Sequence, residues 1–263
     1  MTEEQRQKHL AAIKQFRLID DTFMNVFFKD NIPATELVLH IILERDDLVV
    51  VSVTTQPFFK NLLGRDVYLD IVARDADGRR INIEVQRDRR GAVPKRARYH
   101  SSILDASSLG ENEPFDNLPE TYVIFITEND VLGGDLPIYH IERTIKETNT
   151  SFNDSAHIIY VNGEKRTGDS PLSLLMHDFF CTDPAEMNFE ELAEKSEYFK
   201  TNDKEVSDMC EIMEKLIAEE KKEQSIEIAL KLLADGKYNY EGIAQVTGLS
   251  LAEVVALAGE KTA

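Results

Sequence analysis

The chain holds only two cysteines in 263 residues. Cys181 and Cys210 stand apart, without the paired spacing of a thiolate metal site, and such use fits a reducing compartment. The six histidines form no set. His177 and Cys181 are four apart and share a helix face, but two ligands do not make a zinc site. No apolar run approaches the length needed to cross a membrane. The opening MTEEQRQKHL lacks the charged-then-apolar layout of a signal peptide, so a cytoplasmic protein with no membrane partner is expected. Low-complexity tracts, a P-loop, a dinucleotide fingerprint and a Ser-His-Asp arrangement are all missing. Positive charge is scarce: 30 Lys and Arg against 48 Asp and Glu give a net charge of −18. From Asp183 onward the chain has 19 acidic and 9 basic residues. This balance argues against bulk, non-specific binding to a polyanion.

What is present centres on VYLDIVARDADGRRINIEVQ, residues 67–86. Two alternating runs flank Asp75-Ala76-Asp77-Gly78 and predict a β-hairpin. If Ala76, Asp77 and Gly78 form a three-residue loop with Gly in the left-handed position, Asp75 pairs with Arg79. Val72 then faces Asn82 and Asp70 faces Glu84. Asp70, Asn82, Glu84 and Gln86 share one side, while Leu69, Ile71, Ala73, Ile81, Ile83 and Val85 share the other. A two-residue loop of Asp77-Gly78 would shift the register by one and separate Asp70 from Glu84. Acidic residues on the solvent side of a hairpin are common. Two facing carboxylates, however, repel by roughly 0.2–1 kcal/mol unless a cation lies between them.

A basic run, RDRRGAVPKRAR, follows at once. Arg87, Arg89, Arg90, Lys95, Arg96 and Arg98 are opposed only by Asp88. Pro94 predicts a helix starting near Lys95 and running towards Leu109, with free N–H groups at its start. Such a run alone is ordinarily a solvated surface. Beside two carboxylates it supplies what a phosphodiester backbone needs, and together they point to a metal-dependent nuclease.

These residues resemble the PD-(D/E)XK nuclease superfamily, and most of all its branch of PD-(D/E)XK family transposases, or Rpn-type recombination-promoting nucleases. The resemblance runs through FRLIDDTFMNVFF, GRDVYLDIVARDADGRRINIEVQ, PKRARYHSSIL, LPETYVIFITEND, IIYVNG and PLSLLMHDF. It implies a restriction-endonuclease-like α/β fold, with a mixed β-sheet flanked by helices. It also implies Mg²⁺- or Mn²⁺-dependent cleavage of DNA linked to recombination or mobile elements. Asp70 matches the Asp of the motif and Glu84 its (D/E). Gln86 stands where most of the superfamily has Lys. Asp20 or Asp21 matches the acidic residue of the first helix, and Met24 replaces a Lys of the broader branch. In this scheme Asp70, Glu84 and the carbonyl of Val85 ligate the metal. Gln86 bonds water or phosphate without adding charge, so Arg96 or Arg98 is the expected substitute cation.

Helices are expected over 8–19, 34–43, the segment after Pro94, and 172–180. Strands are expected at 48–53, 67–74, 79–86, TYVIFIT, 138–141 and 157–161, with a turn at Asn162-Gly163. A boundary is expected at Pro184, giving a nuclease-like domain over 1–183 and an acidic helical region over 184–263. That region carries an apolar stripe through Val206, Met209, Cys210, Met213, Leu216, Ile217, Ile226, Ala229, Leu230 and Leu233. It ends in a helix-turn-helix-like tail with Gly248 at the turn and a Ser250–Glu253 capping box. The tail's last helix, from Leu251 to Ala258, lacks Arg, Lys, Asn and Gln, which favours packing or protein contact over base readout. Two other functions compete with the endonuclease: a nuclease fold with decayed chemistry that binds DNA, and a protein-interaction module built on the acidic tail. Paired cuts on two strands would call for two copies of the site, hence a homodimer.

Overall fold

Alternation on either side of the Asp-Ala-Asp-Gly turn builds the middle of a six-stranded sheet. The computed structural model describes residues 3–60 and 66–259, the side chains of 3–6, 203–205, 210–220 and 223 excepted. The strands are β1 (Val50–Thr55), β2 (Phe58–Phe59), β3 (Val67–Tyr68), β4 (Ile71–Asp75), β5 (Arg80–Gln86), β6 (Thr121–Thr127), β7 (Ile138–Ile141), β8 (Thr144–Ile145), β9 (Thr150–Ser151) and β10 (Ala156–Asn162). The helices are α1 (Glu3–Lys14), α2 (Asp21–Phe28), α3 (Ile32–Leu43), α4 (Pro94–Ala106), α5 (Pro171–Phe180), α6 (Glu190–Thr201), α7 (Asp203–Asp235), α8 (Tyr240–Thr247) and α9 (Leu251–Gly259).

The main sheet runs β1-β4-β5-β6-β10-β7. Its inner pairs β5/β6 and β6/β10 are parallel, and the outer pairs are antiparallel. A parallel neighbour requires a crossover, and α4 supplies it between β5 and β6. On one face α4 packs Ala97 and Leu104 over Val123, Phe125 and Tyr160. The other face presents Ile71, Ala73, Ile81, Ile83 and Val85, all buried, with α2 against β1 and β5. Phe23, Phe27, Phe28 and Phe179 are buried there and meet in tilted, edge-to-face and stacked pairs. Each contributes about 1.5–3 kcal/mol by leaving water. A mixed sheet between helical layers, with a helical C-terminal region, is the restriction-endonuclease-like α/β arrangement expected from the sequence.

The chain forms two compact units, Ala11–Glu205 and Met1–Leu10 with Val206–Ala263. The first extends past the boundary expected at 183. Helix α6 belongs to it because Phe199 packs on Phe23 and Phe27. The buried Lys200 Nζ donates to the carbonyls of Lys14, Phe16 and Thr182 at 3.3, 2.7 and 2.6 Å. The helix expected over 8–19 stops at Lys14, and α2 starts afresh at Asp21. Between them Asp20 turns its carboxylate back onto the N–H and guanidinium of Arg17.

In the second unit Ala229, Ile243, Leu249 and Val254 pack together, with Ile226 and Leu233 against them. Gly248 ends α8 at φ +73°, a left-handed conformation that costs glycine nothing. Ser250 and Glu253 exchange the two bonds of a capping box, at 2.9 and 3.3 Å. The stretch of the expected stripe at Cys210, Met213, Leu216 and Ile217 lies outside the described side chains.

Candidate active site

The hairpin adopts the three-residue loop. Asp75 N–H donates to the Arg79 carbonyl at 3.2 Å, and Gly78 takes φ +88°. Val72 pairs with Asn82 and Ile71 with Ile83, so one more step sets Asp70 against Glu84. Side-chain bonds close the same junction. Asp70 N–H donates to Glu84 Oε1 at 3.2 Å, and Val85 N–H donates to Asp70 Oδ2 at 2.9 Å. Leu69 departs from the expected pattern and packs on the α4 side with Val67 and Phe125. The reason is a strand break: Val67 and Tyr68 pair with β2, and the chain re-enters the main sheet only at Ile71.

The carboxylate side of the hairpin is not a solvated surface. Glu84 is fully buried and Asp70 is 7 % exposed. Asn82, also buried, donates its amide to Glu84 Oε1 at 3.0 Å. Over them lies the first half of α4. Arg96 reaches Glu84 Oε2 at 3.4 Å, and the buried His100 places Nδ1 3.2 Å from Glu84 Oε1. Arg96 Nε donates to His100 Nε2 at 3.3 Å. His100 is the residue that sequence reasoning missed. Its signal was its spacing, one helical turn after Arg96 on the helix that Pro94 starts.

Burial holds the Asp70 carboxyl well above the usual carboxylate range, and the negative charge of Glu84 raises it further. The Val85 N–H and Arg96 pull it back only in part. Asp21 is raised as well, by partial desolvation and by the charge of Glu84. Asp21 thus faces the pair electrostatically. Asp20 does not share that role: its carboxylate is held by Arg17 at 2.9 Å and Arg87 at 3.1 Å. Met24 is buried in the core.

The basic run divides in two. Arg87 is tied to Asp20 and Glu128, Arg89 to the carbonyl of Asp130, and Arg90 to Asp88. Arg87 and Arg89 brace the loop, while Arg90 stays at the surface. On α4, Arg96 turns inward while Lys95 and Arg98 are exposed. The Gln86 amide lies against Gly91, where an added Cβ would come within 2.1 Å of its Oε1. Arg79 and Arg80 do not fill the site. Arg79 binds Asp75, Asp77 and Glu120, and Arg80 binds Ser107, Ser108 and the Leu104 carbonyl.

Two buried carboxylates without a full countercharge suit a hard divalent cation that keeps its own waters, as Mg²⁺ does. Among the described residues no group of three His, Cys, Asp or Glu is gathered to hold a metal alone.

Nothing among curated proteins or among solved structures matches the chain. A family model does, that of the PD-(D/E)XK nuclease family transposases, over residues 36–242. The matched span takes in the Asp70–Glu84 hairpin, α4 and the parallel strands, and leaves Asp20 and Asp21 outside. Buried acidic residues on a hairpin, crossed over by a basic helix, sit inside a match of more than three quarters of the sequence: the chain belongs to the PD-(D/E)XK nuclease family transposases.

Proposed function

We propose that this protein is a metal-dependent DNA endonuclease whose cleavage step serves recombination or mobile-element movement. The observation that carries the reading is the burial of Asp70 and Glu84 side by side under Arg96. A fold keeps two such carboxylates together at a cost, and a bound cation offsets it. The recombination link draws its support from the family description.

Asp70, Glu84 and the Val85 carbonyl would hold Mg²⁺ or Mn²⁺. When bound, the ion supplies Lewis acidity at a phosphoryl oxygen and a water acidic enough to give hydroxide near neutral pH. Arg96 supplies the positive charge that Gln86 does not, and it meets the negative charge building on the phosphate. His100 and Asn82 hold Glu84 in one orientation. Gln86 offers its amide to water. Asp21, raised in part by the charge of Glu84, would accept a proton from water. Lys95 and Arg98 bind flanking phosphates as point charges.

Plasmid cleavage with Mg²⁺ or Mn²⁺ at low salt tests the proposal, with Asp70→Ala and Glu84→Ala compared against the native chain. Native cleavage, lost in both variants and on chelation, is the expected result. DNA binding without cleavage across both metals would instead support a decayed nuclease. One contact favours that second reading: Arg96 pairs with Glu84 Oε2 at 3.4 Å.

A further inference from the structure

We propose that the cleft beside the carboxylate pair binds an unpaired nucleobase, so that the preferred substrate carries single-stranded nucleotides next to the scissile phosphate. The inference rests on the endonuclease reading and names its substrate class. The observation is an exposed aromatic pair. On the two-stranded ribbon β2/β3, Phe58 stands opposite Tyr68 with ring centroids 4.9 Å apart. Both rings face solvent, at 49 % and 58 % exposure. Their neighbours Phe59 and Val67 turn inward and anchor the ribbon to the α4 core. The ribbon is therefore fixed while its aromatic side stays open.

Its position gives the pair meaning. Tyr68 precedes Asp70 by two residues. It lines a cleft of about 670 Å³ together with Val93, Tyr99, Lys95, Arg96 and His100. Arg96 and His100 also touch Glu84, so the cleft shares these two side chains with the buried carboxylate pair. One wall is aromatic and apolar, and the rim carries the exposed Lys95, Arg90 in a surface pair with Asp88, and one carboxylate, Asp66. A duplex presents phosphates and groove edges to such a wall and keeps its base faces stacked. An unpaired base offers a face to the ring while its phosphate meets the rim. On a chain of net charge −18, this local match of ring and cation singles out a polyanion with exposed bases.

The test is fluorescence anisotropy on the full chain in EDTA, where no cleavage occurs. The probes are a labelled 12-nucleotide thymidine oligomer and a labelled duplex of the same length. Native protein should bind the single strand at least about tenfold more tightly, given what one base–aromatic stack contributes. Tyr68→Ala should lose about tenfold on the single strand and less than twofold on the duplex, with Tyr68→Phe restoring the native value. Phe58→Ala reports on the ribbon independently should Tyr68→Ala fold poorly. Equal or tighter duplex binding by the native chain overturns the proposal. So does equal loss on both probes, or loss in Tyr68→Phe. Duplex plasmid cleavage without single-strand preference would remove this inference and leave the endonuclease reading standing.

Discussion

Glu84 is held where its charge costs the fold. Its charge is buried beside Asp70, and the two carboxylates repel. Glu84→Gln keeps the Oε1 that accepts from Asp70 N–H and the Asn82 amide while removing that repulsion. The metal-free variant should melt about 2–4 °C higher than native, the shift expected for about 1 kcal/mol in a domain of this size, and should not cleave DNA. A lower melting temperature would mean that Arg96 outweighs the repulsion. His100→Ala should lower metal affinity or cleavage about 10- to 100-fold, as loss of an orienting neighbour does. Titration of Mn²⁺ by calorimetry distinguishes that from simple unfolding. Asp70 sets the pH dependence. A carboxyl raised in the folded state stabilises the fold below its unfolded value, near pH 4, and that contribution is lost as pH rises through the folded value. Metal-free melting should fall over that window. Mg²⁺ must displace the Asp70 proton, so the stabilisation it gives should grow with pH. Melts in EDTA and in Mg²⁺ across the window check this, and a Mg²⁺ effect independent of pH would count against it.

The hairpin is the element on which the site depends. Gly78 at φ +88° fixes the loop and hence the facing of Asp70 and Glu84. Gly78→Ala should cost about 1–2 kcal/mol in urea denaturation, the strain of a side chain in the left-handed region. If the register holds, cleavage at low temperature should be unchanged. This element was legible in the sequence because its period is two residues and its turn chemistry is local. The strand TYVIFIT and the helix after Pro94 were legible for similar reasons. The site was legible only in part. Asp70 and Glu84 could be set opposite each other by counting along a strand, but nothing local says that α4 folds back over them. His100 and the inward turn of Arg96 follow from that crossover, and so does the division of the basic run into bracing and exposed residues. Leu69 was misplaced because alternation carries no mark of where a strand breaks. That Asp20 pairs with Arg17 and Arg87 was not legible locally, since Arg87 lies 67 positions away.

At the scale of the whole molecule the acidic balance limits what can bind. With Arg87 and Arg89 engaged internally, Arg90, Lys95, Arg96 and Arg98 remain to meet phosphates. Four neutralised phosphates on a single strand give a slope of about −3 in log affinity against log salt. Anisotropy from low to physiological salt measures it, and a slope much steeper would point to cations outside this strip. Lys200 has a consequence of another kind. Its ammonium joins carbonyls of Lys14 and Phe16, next to the helix that carries Asp21, to that of Thr182. A ribosome makes the N-terminal partners of this clasp first and its ammonium last. A nascent chain therefore emerges with its hairpin complete and this clasp open, and any product truncated before Lys200 lacks it. The unit that holds the carboxylate pair is clasped only near the end of its own synthesis.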